Sequence, residues 1–336
     1  MDPVVALREI GFWLERGRVD TFRVKAYRKA ADIVAEMTPA DREQRQRDSS
    51  WGKVAGLGPK TAGVVSEAMA GRVPAYLEKA RSQAGPLAEG GTALREQLRG
   101  DLHCHSTWSD GGSPLEEMMA TAQALGHEYL VITDHSPRLT VARGLKPERL
   151  REQMLIVREL DHVTEDFRCL QGIEVDILED GGLDQEPDLL DELDLVVASV
   201  HSKLRSDSET MTLRMVQAVA SPRVNVLGHC TGRLVEGERG TRPESTFDAE
   251  VVFEACRQFN TAVEINSRPE RRDPPSRLMS MALDMGCLFS IDTDAHAPGQ
   301  LDFLSYGCER AERVGVPAER IINTWPVDTL LDWAKS

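Results

Sequence analysis

The sequence has no apolar run approaching the roughly 18 residues that a membrane span requires. Its first residues, with Asp2 and Glu9, lack the basic-then-apolar order of a secretory signal. A cytoplasmic protein with no membrane partner is the resulting expectation. No Cys-x-x-Cys pair occurs among the six cysteines (104, 169, 230, 256, 287 and 308). Most lie in apolar strands or on helices, as buried thiols do, so a disulfide framework is not expected. Positive charge is scarce overall, at 40 Lys and Arg against 55 Asp and Glu, but it is unevenly placed. Residues 1–100 carry 17 cations against 13 anions, and residues 101–336 carry 23 against 42. A basic module of net charge +4 joined to an acidic one of −19 suggests two jobs, with the first available for polyanions.

What the chain does have is a set of strands that end on metal-binding residue types. Asp101-Leu-His-Cys-His-Ser-Thr-Trp-Ser-Asp110 opens the acidic half. Residues two apart on a strand share a face, so His103 and His105 can address one ion while Leu102 and Cys104 turn into packing. Five later segments repeat the pattern: Tyr129 to His135, Leu170 to Glu174, Leu195 to His201, Val224 to His229, and Leu288 to Asp294 and His296. Six of the eight histidines fall at such strand ends. The others, His127 and His162, sit in or beside helical stretches and read as ordinary histidines. Alternation turns Cys104 away from these groups and leaves Cys230, next to His229, able to approach them. The strand Ala262-Val-Glu-Ile-Asn266 ends on no clear ligand, but Glu264 and Asn266 could orient ligands or meet a substrate.

Between the strands, helical periodicity fits 115–125, 148–165, 187–192, 209–220, 248–259, 276–285 and 302–314, and a last helix fits 327–335. Strand alternating with helix predicts a parallel sheet with right-handed crossovers, and ligands at successive strand ends predict closure into a barrel. Ahead of it, helices are predicted over 4–16 and 26–37, with a polar connection at 40–50. Gly56-Leu-Gly58-Pro-Lys60 then turns into a third helix. Its glycines let backbone amides approach a phosphate, and Lys60 adds a charge. Residues 81–100, with Gly85-Pro86 and Gly90-Gly91, read as a linker between a unit at 1–80 and a unit at 101–336.

Two resemblances follow. Phe22-Arg-Val-Lys-Ala-Tyr-Arg-Lys-Ala-Ala31 with the Gly56–Lys60 hairpin resembles the small helix-hairpin-helix DNA-binding domain of family X DNA polymerases. That likeness implies DNA contacts by Arg23, Tyr27, Arg28, Gly56, Gly58 and Lys60. Val64 stands where lyase-active members carry an imine-forming lysine, which argues against deoxyribose-phosphate lyase chemistry. His103-x-His105 with Asp110, Thr133-Asp-His135, Gly172-Ile-Glu174, Ser199-Val-His201, Gly228-His229 and Asp292-Thr-Asp-Ala-His296 resemble the motifs of the PHP (polymerase and histidinol phosphatase) superfamily, nearest to the PHP domain of bacterial family X polymerases. The polymerase palm, fingers and thumb have no counterpart in the short stretch between the two modules.

The PHP resemblance implies a distorted (β/α)7 barrel holding three divalent ions, Mn²⁺, Zn²⁺ or Fe. It assigns His103, His105, Glu174 and Asp294 to one ion. Glu174 bridges to a second held by His201 and His229, and Asp110, His135 and His296 hold the third. Imidazole and carboxylate ligands suit these metals, and the absence of thiolate ligands disfavours a closed structural zinc site. Glu174 and Asp294, with Lys203 as a nearby cation, become candidate catalytic residues around a bridging water. Arg268 and Arg271 become candidate grips on the substrate phosphate, and Asp134 and Asp292 candidate orienters of the histidines. The implied activity is phosphate-ester hydrolysis on DNA during repair, as a 3′-5′ exonuclease or at abasic sites. The DNA partner would be gapped, 3′-recessed or abasic, and the protein a monomer. A small-metabolite phosphatase of the histidinol-phosphatase type and an inactive metal-stabilised DNA-binding module remain alternatives.

Overall fold

The computed structural model describes residues 1–163, 166–237 and 240–336. It divides into two compact units, Met1–Pro86 and Leu87–Ser336.

The first unit is helical: α1 (Pro3–Arg16), α2 (Thr21–Ala35), α3 (Pro39–Arg47), α4 (Pro59–Met69) and α5 (Ala75–Gln83). Each start is set by cap chemistry. The Asp2 carboxylate accepts from the Val4 and Val5 amides at 2.8 and 3.0 Å, and Pro3 fills the first turn, where no amide donor is needed. Asp20 accepts from the Phe22 amide at 2.8 Å, so α2 begins five residues before its apolar periodicity becomes visible at residue 26. The expected connection at 40–50 is instead largely α3. That helix buries none of its residues, so periodicity cannot reveal it, but Thr38 and Asp41 form a reciprocal cap and Pro39 opens the first turn. The core joins Leu7, Ile10 and Leu14 of α1 to Tyr27, Ala30, Ala31 and Val34 of α2 and to Ala62, Val65 and Ala68 of α4. Gly56 takes φ 92°, a conformation that favours glycine, and a side-chain carbon there would also lie 2.4 Å from Ile33 Cδ1 and displace that side chain.

The second unit contains, among the described residues, seven parallel strands in sequence order: β1 (Gly100–Cys104), β2 (Tyr129–Ile132), β3 (Arg168–Asp176), β4 (Leu195–Ser199), β5 (Val226–Leu227), β6 (Ala262–Asn266) and β7 (Phe289–Asp292). After α6 (Thr92–Arg95), the helices between strands are α7 (Leu115–Ala124), α8 (Pro147–Val163), α9 (Pro187–Leu190), α10 (Ser208–Val219), α11 (Ala249–Gln258) and α12 (Ser276–Asp284). Then α13 (Leu304–Val314) and α14 (Val327–Ala334) follow β7. Residues 164 and 165, the predicted end of α8, lie outside the described residues. The strands are almost wholly buried, as expected of a parallel sheet covered by helices. The result is a nearly closed (β/α)7 barrel.

Its seam is unlike its other strand pairs. β1 meets β7 through His105 N–H donating to Ala295 O at 2.7 Å and through two reciprocal carboxylate contacts. Leu102 N–H donates to Asp292 Oδ1 at 3.1 Å, and Thr293 N–H to Asp101 Oδ1 at 3.1 Å. Part of the presumed linker also belongs here. Leu94 and Leu98 are buried in the barrel's apolar core, and Gly91 N–H donates to Glu312 Oε2 at 2.7 Å.

Candidate metal centre

All nine predicted ligands converge where the strands end. Glu174, on β3 and 1% exposed, is the hub. Its Oε2 lies 3.4 Å from His103 Nε2, 3.5 Å from His105 Nε2 and 2.8 Å from His135 Nδ1. Its Oε1 lies 3.2 Å from His201 Nε2 and 2.8 Å from His229 Nε2. Asp294, held in the left-handed region at φ 50°, places Oδ1 3.4 Å from His105 Nε2. Asp110 Oδ1 lies 3.5 Å from His135 Nε2 and 3.3 Å from His296 Nε2.

Ligand-type atoms within metal-binding reach of one another form three groups: His105, Asp110, His135 and His296; His103, His105 and Asp294; and His135, Glu174 and His201. These overlap more than the sequence-based partition, because His105 and His135 each fall in two groups. His229 falls in none of them, although its Nε2 is at Glu174.

The electrostatics describe a crowd of imidazoles around few carboxylates. Burial opposes the charge on His103, but Glu174 and Glu264 outweigh it and hold that imidazole well above its usual range. Burial likewise opposes His201, yet Glu174 and Asp176 raise it to about 9. His105 is pushed down to about 3, first by burial and then by His296 and His135. Glu174 is held well below the carboxylate range because His201, His103 and His135 override its burial. Several inward atoms make no hydrogen bond: Nε2 of His103, both nitrogens of His105, Nε2 of His201 and Oε2 of Glu174. Orphaned buried lone pairs aimed at one another are costly unless a cation takes them, so the donor set fits divalent ions.

Two of the expected supporting residues, Asp134 and Asp292, are engaged elsewhere. Asp134 touches none of the histidines; it accepts from the Ser106 amide at 2.8 Å, from the hydroxyls of Ser106 and Ser109, and from Gln153 Nε2 at 2.6 Å. Asp292 likewise holds the seam and Asn323 Nδ2, at 3.0 Å, rather than an imidazole. The orienting carboxylates are Glu264, 2.5 Å from His103 Nδ1, and Asp176, 3.2 Å from His201 Nδ1. Asp176 was missed, yet its signal was present: it stands two residues beyond Glu174 and shares its face. Cys104 points away, into a cluster with Met118, Leu130 and Ile132. Cys230 faces Asp273, 4.0 Å away, and the apolar core.

Arg271 and Arg268 reach the centre. Arg271 Nε donates to Asp294 Oδ2 at 2.9 Å, and Arg268 Nη1 lies 3.1 Å from His296 Nδ1. Lys203 is exposed on the loop after β4, at φ 53°. In the helical unit Arg23 and Lys60 are exposed, but Tyr27 is 2% exposed and stacks on Tyr76, with ring centroids 5.5 Å apart. Arg28 is ion-paired to the buried Glu15. Tyr27 thus lies on the core side of α2, while Arg28 is partly exposed with its guanidinium engaged by Glu15.

Residues 101–268 match the PHP domain family. The chain is 38% identical over 227 residues to the DNA polymerase/3′-5′ exonuclease PolX of Bacillus subtilis, covering 68% of this chain and 39% of that protein. It is 27% identical over 236 residues to the probable phosphatase YcdX of Escherichia coli K12, covering 67% of this chain and 90% of that protein. Among solved structures, histidinol phosphate phosphatase from Lactococcus lactis, complexed with zinc, L-histidinol and phosphate, superposes with a TM-score of 0.45 at 19% identity, over 65% of this chain and 94% of that one. The motifs, the seven-stranded barrel and the family match agree: the chain belongs to the PHP-domain family of metal-dependent phosphoesterases.

Proposed function

We propose that this chain hydrolyses phosphodiester bonds of DNA, releasing 3′-terminal nucleotides or incising at abasic sites. The observation that carries this reading is the glycine hairpin of the helical unit. Gly58 caps α4, Lys60 is exposed in its first turn, and Lys29 Cε lies 3.4 Å from where a Gly56 side chain would begin. One lysine thus packs beside the hairpin and another is exposed in the first turn of the helix it opens, a combination that suits a backbone phosphate. The likeness to PolX supports the same reading.

In this reading His103, His105, Asp110, His135, Glu174, His201, His229, Asp294 and His296 hold three divalent ions, Mn²⁺ or Zn²⁺. When bound, such ions polarise a phosphoryl oxygen and lower the pKa of a coordinated water. Glu174 and Asp294 would supply the negative charge that balances the ions. Glu264 and Asp176 hold His103 and His201 in the tautomer that presents Nε2 inward. Arg268 and Arg271, beside Asp294, and Lys203 at the rim neutralise the scissile phosphate. The helical unit raises the local concentration of DNA near an acidic barrel that would otherwise repel it.

A second reading, a phosphatase for a small phosphomonoester, is favoured by the 90% coverage of YcdX. Equal amounts of Mn²⁺-loaded enzyme on end-labelled 3′-recessed DNA, abasic-site DNA and histidinol phosphate separate the two. Release of nucleoside 5′-monophosphates or incision at the abasic site is expected. Turnover of histidinol phosphate with both DNAs intact would establish the second reading.

A further inference from the structure

Asp110 is the outlier among the nine ligand candidates. Glu174 and Asp294 sit at strand ends and are 1% and 2% exposed, whereas Asp110 lies on a turn beyond β1 and is 33% exposed. A carboxylate on a surface turn loses conformational entropy when it binds an ion, so something must hold the turn. Two residues of α8, one helical turn apart, do so from two sides. Gln153 donates to Asp134, which accepts from the Ser106 amide and from the hydroxyls of Ser106 and Ser109. Arg149 Nη2 donates to Trp108 O at 2.6 Å and Nη1 to Arg143 O at 2.9 Å, and its guanidinium carbon lies 5.5 Å from the Trp108 ring centroid. Arg143, itself at φ 57°, donates to Ser109 O. The residues immediately before Asp110 are therefore clamped by two arginines that touch none of the ligand candidates.

We propose that Arg149, acting through Trp108 and Arg143, is a positioning latch that sets the retention of the ion held by Asp110, His135 and His296, and that this outermost ion is the exchangeable one of the centre. The inference rests on the reading that these three residues hold an ion. A planar guanidinium suits the role: it bonds two carbonyls in fixed directions and stacks on the indole, which an ammonium cannot reproduce in full.

The test uses the full chain loaded with Mn²⁺, its metal content measured after gel filtration, and Mn²⁺ titrated while tryptophan emission is followed. Arg149→Met is expected to retain one ion fewer than wild type and to bind that ion roughly 10–100-fold more weakly, as loss of an outer partner does elsewhere. Arg149→Lys should recover part of the affinity. The emission change that accompanies the weakest binding step should vanish in Trp108→Phe. Asp110→Asn is the reference. If Asp110→Asn keeps the full metal content, the assignment of the ion itself fails. If Asp110→Asn loses an ion while Arg149→Met binds every ion as wild type does, the latch alone is overturned. An Arg149→Met protein that folds, by circular dichroism, but loses all its ions evenly also overturns it, because the effect would not be selective.

Discussion

At the scale of single residues, Glu174 lies within 3.5 Å of five imidazoles. Glu174→Gln keeps the shape and removes the charge. It is expected to abolish hydrolysis and to weaken metal binding by more than the roughly 10–100-fold typical of an outer partner. Glu264→Gln, which alters a residue behind His103 that also accepts from the His229 amide, should fall within that range. Metal titration of both variants checks the order, and equal effects would contradict the hub role. In the helical unit, Tyr27→Phe should leave DNA affinity unchanged because the ring faces Tyr76. Arg23→Ala and Lys60→Ala should each weaken binding and flatten its dependence on log salt by about one phosphate contact, a slope near 0.9 on duplex DNA.

At the scale of elements, the histidine-bearing strand ends respond to pH in opposite ways with and without metal. His201, with a pKa of about 9, and His103, also raised, have folded-state values above those of an unfolded chain. Their stabilisation of the metal-free barrel is complete below the unfolded value of about 6.5 and is lost as pH rises through the folded values. Metal binding must expel the same protons, so affinity rises over that window. Chelator-treated protein is therefore expected to melt at lower temperature at pH 9 than at pH 6.5, while the gap between loaded and chelated protein widens. Differential scanning fluorimetry at the two pH values reads this directly, and a gap that narrows would contradict it. The strands and their ligands were legible because burial makes them apolar runs with one polar interruption at the end. α3 was not, since an all-polar helix has no periodic stripe, and its evidence lay only in Thr38, Pro39 and Asp41. The roles of Asp134 and Asp292 were misjudged for a related reason. Which neighbour an interior carboxylate meets depends on the seam and turn geometry, and sequence adjacency to His135 or Asp294 carries no information about it.

At the scale of the whole molecule, the proposed function assigns affinity and chemistry to different units, in line with their charge. Removing residues 1–86 is expected to weaken DNA binding and its salt dependence while hydrolysis of a small chromogenic phosphodiester persists. Unchanged DNA binding by the barrel alone would refute that division. Among the described residues, no helix is long and apolar enough to cross a membrane.

The seam has one more consequence. The ligand candidates run from His103 on β1 to Asp294 and His296 just beyond β7, the two strands that close the barrel. A chain emerging from the ribosome therefore displays its first two histidines long before it makes the carboxylate and imidazole that complete their group. Until the last strand docks, Asp101 and Asp292 have no amides to exchange, and the early histidines have only part of a coordination shell. The group of His103, His105 and Asp294 is thus complete only when the last strand docks on the first, whereas that of His135, Glu174 and His201 does not depend on this closure.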